Sequence, residues 1–226
     1  MIVTPGPLDP PAERLLAAVA ARGVPLAATP RALPAGTEAV TLAVSTGPFV
    51  FDFAAVVAAI ARPFRVLILS RLGAHPDARA TGLRRLWRLE EHLRGGGAPT
   101  LTLRFAPLVG PGAPLWNRLR SRPRLGRDAR RLLNPALEAD AVETIARALD
   151  GRAAWRGWFE VAGPEVWSLG ELAERAAALG PARDRGDWVP PREELAEHRL
   201  AESGPWREHF GLEPRPLAEA LAERAA

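Results

Sequence analysis

Between Phe64 and Phe105 the chain runs through a buried strand, an amphipathic helix, a hard stop and a second strand. That order leaves few architectures open. FRVLIL, from Phe64 to Leu69 and ending at Ser70, is a short continuous apolar run, the pattern of a strand covered on both faces. From Ala78 to Arg94, the residues Leu83, Leu86, Leu89, Glu90 and Leu93 fall on one helical face. Gly95-Gly96-Gly97 stops that helix, and Thr100 to Phe105 is again a strand. The alternation continues on both sides. Met1 to Thr4, Val24 to Ala28 and Ala39 to Val44 are strand candidates, with Ser45-Thr46-Gly47-Pro48 as a turn. Pro10-Pro11 opens a helix that carries Leu15, Leu16, Val19 and Ala20 on one face and ends at Gly23. Phe51 to Ala61 has the composition of a buried helix. Asp140 to Leu149 reads as a helix, Trp158 to Val161 as a strand and Leu169 to Ala178 as a helix.

Alternating buried strands and helices predict an α/β fold, a shortened Rossmann-type doubly wound parallel sheet. Residues 1–162 form the expected core. Residues 163–226 form a small, mainly helical C-terminal lobe packed on it, or merged with it in a single domain. A chain of 226 residues buries enough surface to need no metal or disulfide. It contains no Cys, which excludes a disulfide framework, thiolate zinc sites and a thiol nucleophile, and fits a cytoplasmic protein. No apolar run approaches the roughly 20 residues of a membrane span. The segment MIVTPGPLDPP lacks the basic and apolar regions of a signal peptide and reads as mature sequence.

Every basic residue is Arg, and the chain has neither Lys nor Tyr. The sequence pI of about 11.0 is therefore not a nucleic-acid signature. With no Lys, Tyr or Cys, little titrates between the N-terminal amine and Arg, so a net charge of only +4 persists to high pH.

Several segments, taken in order, match one pattern. VLILSRLGA (Val66 to Ala74) is a strand ending at a Ser and followed by Leu-Gly-Ala. LEEHLRGGGAPTLTLRFAPLVGPG (Leu89 to Gly112) is a helix leading into a strand and a Gly-Pro-Gly turn. LEADAVETIARAL and FEVAGPEVWSLGELAERAA follow, and FGLEPRPLAEALAE lies near the C-terminus. Together they resemble the atypical and extended short-chain dehydrogenases, especially the NmrA-like group and its relatives in respiratory complex I. The likeness is clearest over residues 64–180. It implies an NAD(P)-binding fold with a ligand crevice at the carboxyl ends of the strands. It would line that crevice with Thr4, Gly6, Ser45, Thr46, Gly47, Ser70 and the stretch Arg104 to Val109, including Pro107. It would set Arg31 near a cofactor 2′-phosphate, although a solvated loop arginine is the simpler reading of that residue.

The chain departs from this pattern where chemistry is expected. The family's glycine-rich phosphate loop lets the backbone approach a pyrophosphate. Here the stretch reads Thr4-Pro5-Gly6-Pro7-Leu8-Asp9-Pro10-Pro11: prolines donate no N–H, and Asp9 repels phosphate. The short Pro-rich connection from Thr29 to Gly36 leaves no room for the usual extra helix and edge strand. The family's Tyr transfers a proton, and a Lys four residues later lowers its pKa. Those positions fall at Gly82 and Leu86, or with a one-residue slip at Leu83 and Trp87. None carries a transferable proton. Ser70, without a Tyr, reads first as a strand-end residue satisfying backbone.

The resulting expectation is a degenerate NAD(P)-binding-fold protein. It would act by binding a small molecule or a protein partner, as sensor, scaffold or assembly component, without Tyr/Lys-type dehydrogenase activity. One alternative is an NAD(P)-dependent reductase or epimerase-like enzyme with a rebuilt site. Another is nucleic-acid or acidic-partner binding through Arg118 to Arg131 (RLRSRPRLGRDARR), where a solvated face is the simpler reading. No His cluster has metal-ligand spacing; Glu90 with Arg94, and Glu194 with His198, read as surface i, i+4 pairs. The Trp residues read mainly as packing, with an exposed subset suited to a subunit interface.

Overall fold

The computed structural model describes residues 1–4, 8–27, 37–45, 63–111, 113–121, 124–151, 153–180 and 197–225. The proposed helix over 51–61 and the positions Gly6, Arg31, Thr46, Gly47 and Glu194 lie outside them.

Six parallel strands form the central sheet: β1 (Ile2–Val3), β2 (Leu26–Ala27), β3 (Val40–Ser45), β4 (Phe64–Arg71), β5 (Thr100–Phe105) and β9 (Trp158–Val161). Their order is β2-β1-β3-β4-β5-β9, so the chain moves outward in both directions from β1 and β3, the doubly wound arrangement. Short pairs β6 (Leu108–Val109) with β8 (Ala136–Leu137), and β7 (Leu132–Leu133) with β10 (Trp167–Ser168), lie beyond the sheet.

The period-two geometry of strand β4 sorts its side chains onto two layers. Leu67 and Leu69 meet Leu15, Leu16 and Val19 of α1 (Pro10–Ala20), with Ile145 from a later helix, Glu138–Leu149. Val66 and Ile68 meet Leu93 of α2 (Thr81–Arg94) on the opposite face. Because both faces are covered, the strand is apolar at every position from 66 to 69 and shows no polar alternation. Trp206 and Phe210 pack into the first layer. A separate cluster joins Trp116 and Leu119 of α3 (Pro114–Arg120) to Leu133, Leu169, Leu172 and Leu217.

Some element boundaries differ from those expected. Helix α2 starts at Thr81, not at residue 78, because Arg84 Nη1 binds the carbonyls of Ala78 and Arg79 at 2.5 and 2.7 Å and holds them outside the helix. Strand β4 runs one residue past Ser70, since Arg71 still pairs with Phe105. Ser45 is the last residue of β3, paired with Leu69, and not part of a turn. The helix expected from Asp140 begins at Glu138, with Glu138 and Asp140 both in its first turn, where carboxylates suit the helix dipole.

Candidate functional site

The crevice forms where β4 and β5 end and α1 begins. A cavity of about 110 Å³ opens there, walled mainly by Leu15, Leu69, Leu72, Leu83, Phe105 and Leu115. Asp9, Ser70, Arg71 and Arg199 are its polar contributors, and Ala106, Pro107 and Leu108 belong to its wall.

Strand alternation sends Ser70 and Arg71 to opposite sides. Arg71 points to the α1 side and meets Asp9 Oδ2 at 3.5 Å. Ser70 points to the α2 side and donates to Glu90 Oε1 at 2.5 Å. Arg104, on the same face of β5, grips Glu90 in a fork, with Nη2 at 2.6 Å and Nε at 3.1 Å from Oε2. Its guanidinium also lies 4.3 Å over the Trp158 ring. Glu90 is wholly buried, which corrects its reading as a surface partner of Arg94: that contact exists at 3.8 Å, but Arg104 and Ser70 are the close partners. Ser70 is thus engaged with a buried carboxylate and not with its own backbone.

The amino end of α1 forms one side of the crevice. A dinucleotide-binding helix offers free N–H groups to phosphate. Here Pro10 and Pro11 have none. The Ala12 N–H is taken by Asp9 Oδ1 at 3.0 Å, the Glu13 N–H by the Asp9 carbonyl at 3.0 Å, and the Asp9 N–H by Ser45 Oγ at 3.0 Å. Each first-turn donor is missing or already used, and a carboxylate stands at the positive end of the helix. The described residues therefore do not fit a pyrophosphate there.

Arg199 comes from a segment far along the chain. Its backbone N–H donates to the Leu132 carbonyl at 2.8 Å, and its carbonyl accepts from Asn134 N–H at 3.1 Å, which pins the segment beside β7. The guanidinium lies against Gly73, where an added Cβ would sit 3.2 Å from Cζ; Gly73 itself has φ +88°. Arg199 Nη1 donates to Glu197 Oε2 at 3.0 Å. That bond, with smaller help from Arg79, holds the Glu197 carboxyl below the ordinary Glu range. Glu160, opposite Arg104 in the sheet, is shifted up because burial penalises its charge.

Of the residues expected in the crevice, Ser70 and Pro107 line the cavity and Ser45 supports it through Asp9. Thr4 lies at the end of β1, its N–H donating to the Ala27 carbonyl at 3.1 Å. Arg104 faces Glu90 instead of the cavity, and Val109 packs into the α3 cluster. Leu83, at one of the two positions that the sequence resemblance would set against a Tyr, contributes apolar wall. Within the arginine run, Arg120 caps the helix Leu169–Ala178 by donating to the carbonyls of Leu179 and Gly180 at 3.1 and 2.8 Å. Arg118, Arg124, Arg127 and Arg130 are exposed. No group of His, Asp or Glu with metal-holding geometry occurs among the described residues. Nor is any helix among them long and apolar enough to cross a membrane.

No family profile matches the sequence, and no curated protein matches it either. Solved structures do. A UDP-glucose 4-epimerase from Thermotoga maritima, bound to UDP-glucose, superposes with a TM-score of 0.66 at 13% identity, over 97% of this chain and 95% of that one. RMD from Pseudomonas aeruginosa, complexed with NADPH, gives 0.63 at 16% identity, over 97% and 95%. An NAD-dependent NDP-hexosamine 5,6-dehydratase of tunicamycin biosynthesis gives 0.62 at 15%, over 98% and 94%. What these likenesses show is the fold, a Rossmann-type α/β fold shared with those structures.

Proposed function

We propose that this chain is a binding protein built on a dehydrogenase fold, taking a compact, largely apolar ligand and performing no Tyr/Lys-type hydride chemistry. One observation carries the reading: the amino end of α1 is closed to phosphate by Asp9, Pro10 and Pro11. The cavity adds support, since about 110 Å³ is well below the roughly 300 Å³ where drug-sized ligand pockets begin. Its wall offers Leu83 and no proton-transferring Tyr. Whether the bound form then signals, scaffolds or assembles with a protein partner belongs to a later step than the pocket.

Thermal melts with NAD(H) and NADP(H) at millimolar concentration test the reading. The expected result is an unmoved Tm, because a ligand at 100 times its Kd would stabilise by about 2.7 kcal/mol. A clear upward shift would overturn it.

A second reading has a specific basis, the near-complete superposition on enzymes whose structures contain NADPH or a UDP-sugar. On that reading the chain is an NAD(P)-dependent reductase or epimerase-like enzyme with a rebuilt site. It predicts the upward shift, and turnover of NAD(P)H with a carbonyl substrate.

A further inference from the structure

We infer that the cavity at the ends of β4 and β5 is a site for a very small uncharged molecule without hydrogen-bonding groups, a short hydrocarbon or halocarbon; the inference deepens the proposed function and rests on it. The polar side chains of the wall set the chemistry. Asp9 is used at both oxygens, Oδ1 by the Ala12 N–H at 3.0 Å and Oδ2 by Arg71 at 3.5 Å. The Ser70 hydroxyl donates to Glu90, on the α2 side of the sheet. Arg199 uses Nη1 for Glu197 and the His198 carbonyl, and its Nη2 is buried out of the reach of solvent. Each polar side chain of the wall is thus already engaged within the chain. A charged or hydrogen-bonding guest would give up its water for groups whose charges are already matched, which is costly. Ordered water is a poor occupant for the same reason, since it needs about 2–4 polar partners.

Volume sets the size. A dry apolar cavity of about 150 Å³ holds benzene, with its six carbons, so one of about 110 Å³ holds, in proportion, about four. Leu15, Leu69, Leu72, Leu83, Phe105 and Leu115 present carbon to such a guest. Leu15, Leu69 and Leu83 are buried in the core on the two faces of the sheet, so closing the wall inward would unpack them. The room is therefore there before a guest arrives. Its place, at the carboxyl ends of parallel strands, is where open α/β sheets receive ligands. Burying one more methylene tightens binding about fourfold. Affinity should then climb with carbon number up to the size limit and fall beyond it.

NMR of the full chain with labelled leucine methyls, titrated with propane, isobutane, benzene and cyclohexane, tests this directly. Acetamide and acetate, which have as many non-hydrogen atoms as isobutane, serve as the polar and charged controls. Propane and isobutane are expected to shift the Leu15, Leu69, Leu83 and Leu115 methyls, with isobutane bound about fourfold tighter. The two rings and the two controls are expected to leave them in place. Leu83→Ala enlarges the cavity and is expected to admit benzene. Leu83→Phe fills it and is expected to abolish isobutane binding. Should either variant fail to fold, the other variant and the probe series on the parent still decide. Acetamide or acetate binding as tightly as isobutane, a ring binding the parent more tightly than isobutane, or no shift with either small hydrocarbon would overturn the inference. So would undiminished isobutane binding to a folded Leu83→Phe variant, or exclusion of benzene from a folded Leu83→Ala variant. An NADPH titration in the same buffer separates the two claims: a dinucleotide response defeats the proposed function whatever the hydrocarbons do, and silence of both defeats this inference alone.

Discussion

Arg71 and Asp9 meet at 3.5 Å over the amino end of α1, where the same carboxylate accepts the Ala12 amide at 3.0 Å. The helix carries its own anion at the point where related folds receive the cofactor's. Asp9 is 7% exposed, so it acts as an internal cap more than a surface charge. Asp9→Ala is expected to lose about 1 kcal/mol of stability, a normal N-cap loss, and Asp9→Asn much less, because the amide oxygen still accepts. Urea unfolding of both variants measures the difference. Equal losses would mean that the charge on Asp9, and not its cap, is what stabilises.

Glu90 is the buried carboxylate of the opposite layer. It accepts from Ser70 and from the Arg104 fork while excluded from water. Removing one partner of a buried pair leaves the other uncompensated. Glu90→Ala is therefore expected to cost about 3–5 kcal/mol. Ser70→Ala, which breaks one bond to a charged acceptor, should cost about 1.5–3 kcal/mol. The Glu90→Leu/Arg104→Met double variant should be markedly less damaging than either single change, because no unpaired charge remains. A double-mutant cycle by chemical denaturation checks this, and simple additivity would contradict the buried-pair account.

Much of this was legible before the structure. Strand β4 announced itself because a strand covered on both faces is a continuous apolar run, β3 and β5 were read as strands from shorter apolar stretches, and strand Trp158–Val161 and helix Leu169–Ala178 fell at the expected residues. The failures were of another kind. Glu90 sits at helical spacing beside Arg94, and local spacing cannot reveal that Arg104, from the next strand, buries it. Arg71 was foreseeable, since alternation along β4 puts the residue after Ser70 on the α1 face. Arg199 was not, because its place comes from pairing with Leu133, which leaves no periodic trace in sequence.

Two carboxylates should give opposite pH signatures. The Glu197 pKa is lowered chiefly by the hydrogen bond from Arg199, so its stabilisation is present above the ordinary Glu value of about 4.3 and lost as pH falls through the depressed folded value. Glu197→Gln should then be less stable than the parent near pH 7, by up to about 1 kcal/mol for a partly exposed pair. That deficit should close in acid. The Glu160 pKa is raised by burial, so its charge destabilises above the folded pKa and the penalty is relieved as pH falls through it. Glu160→Gln should be more stable than the parent near pH 7, and that gain should disappear below the ordinary Glu range. Melts of both variants from pH 3 to pH 8 test the pair of slopes; parallel curves would remove both assignments.

The arginine run divides into a structural residue and a solvated face, and the division can be measured. Arg120 ties α3 to the end of the helix Leu169–Ala178 through two carbonyls at its negative pole. Arg120→Ala removes those charge-assisted bonds, and about 1–3 kcal/mol is expected to be lost. Arg118, Arg124, Arg127 and Arg130 are exposed, and changing each to Gln should alter stability by no more than about 0.5 kcal/mol. The same four changes test the run as an anion-binding surface. A phosphate backbone held by several arginines is lost steeply with salt, by about 10³ or more between 50 and 200 mM for six contacts. With an overall charge of only +4 and no aromatic residue within the run to stack on bases, single-stranded oligonucleotides are expected to bind weakly, and the four-Gln variant to behave as the parent does. Tight, steeply salt-dependent binding that the four-Gln variant loses would instead make this face the functional surface, with the crevice secondary to it.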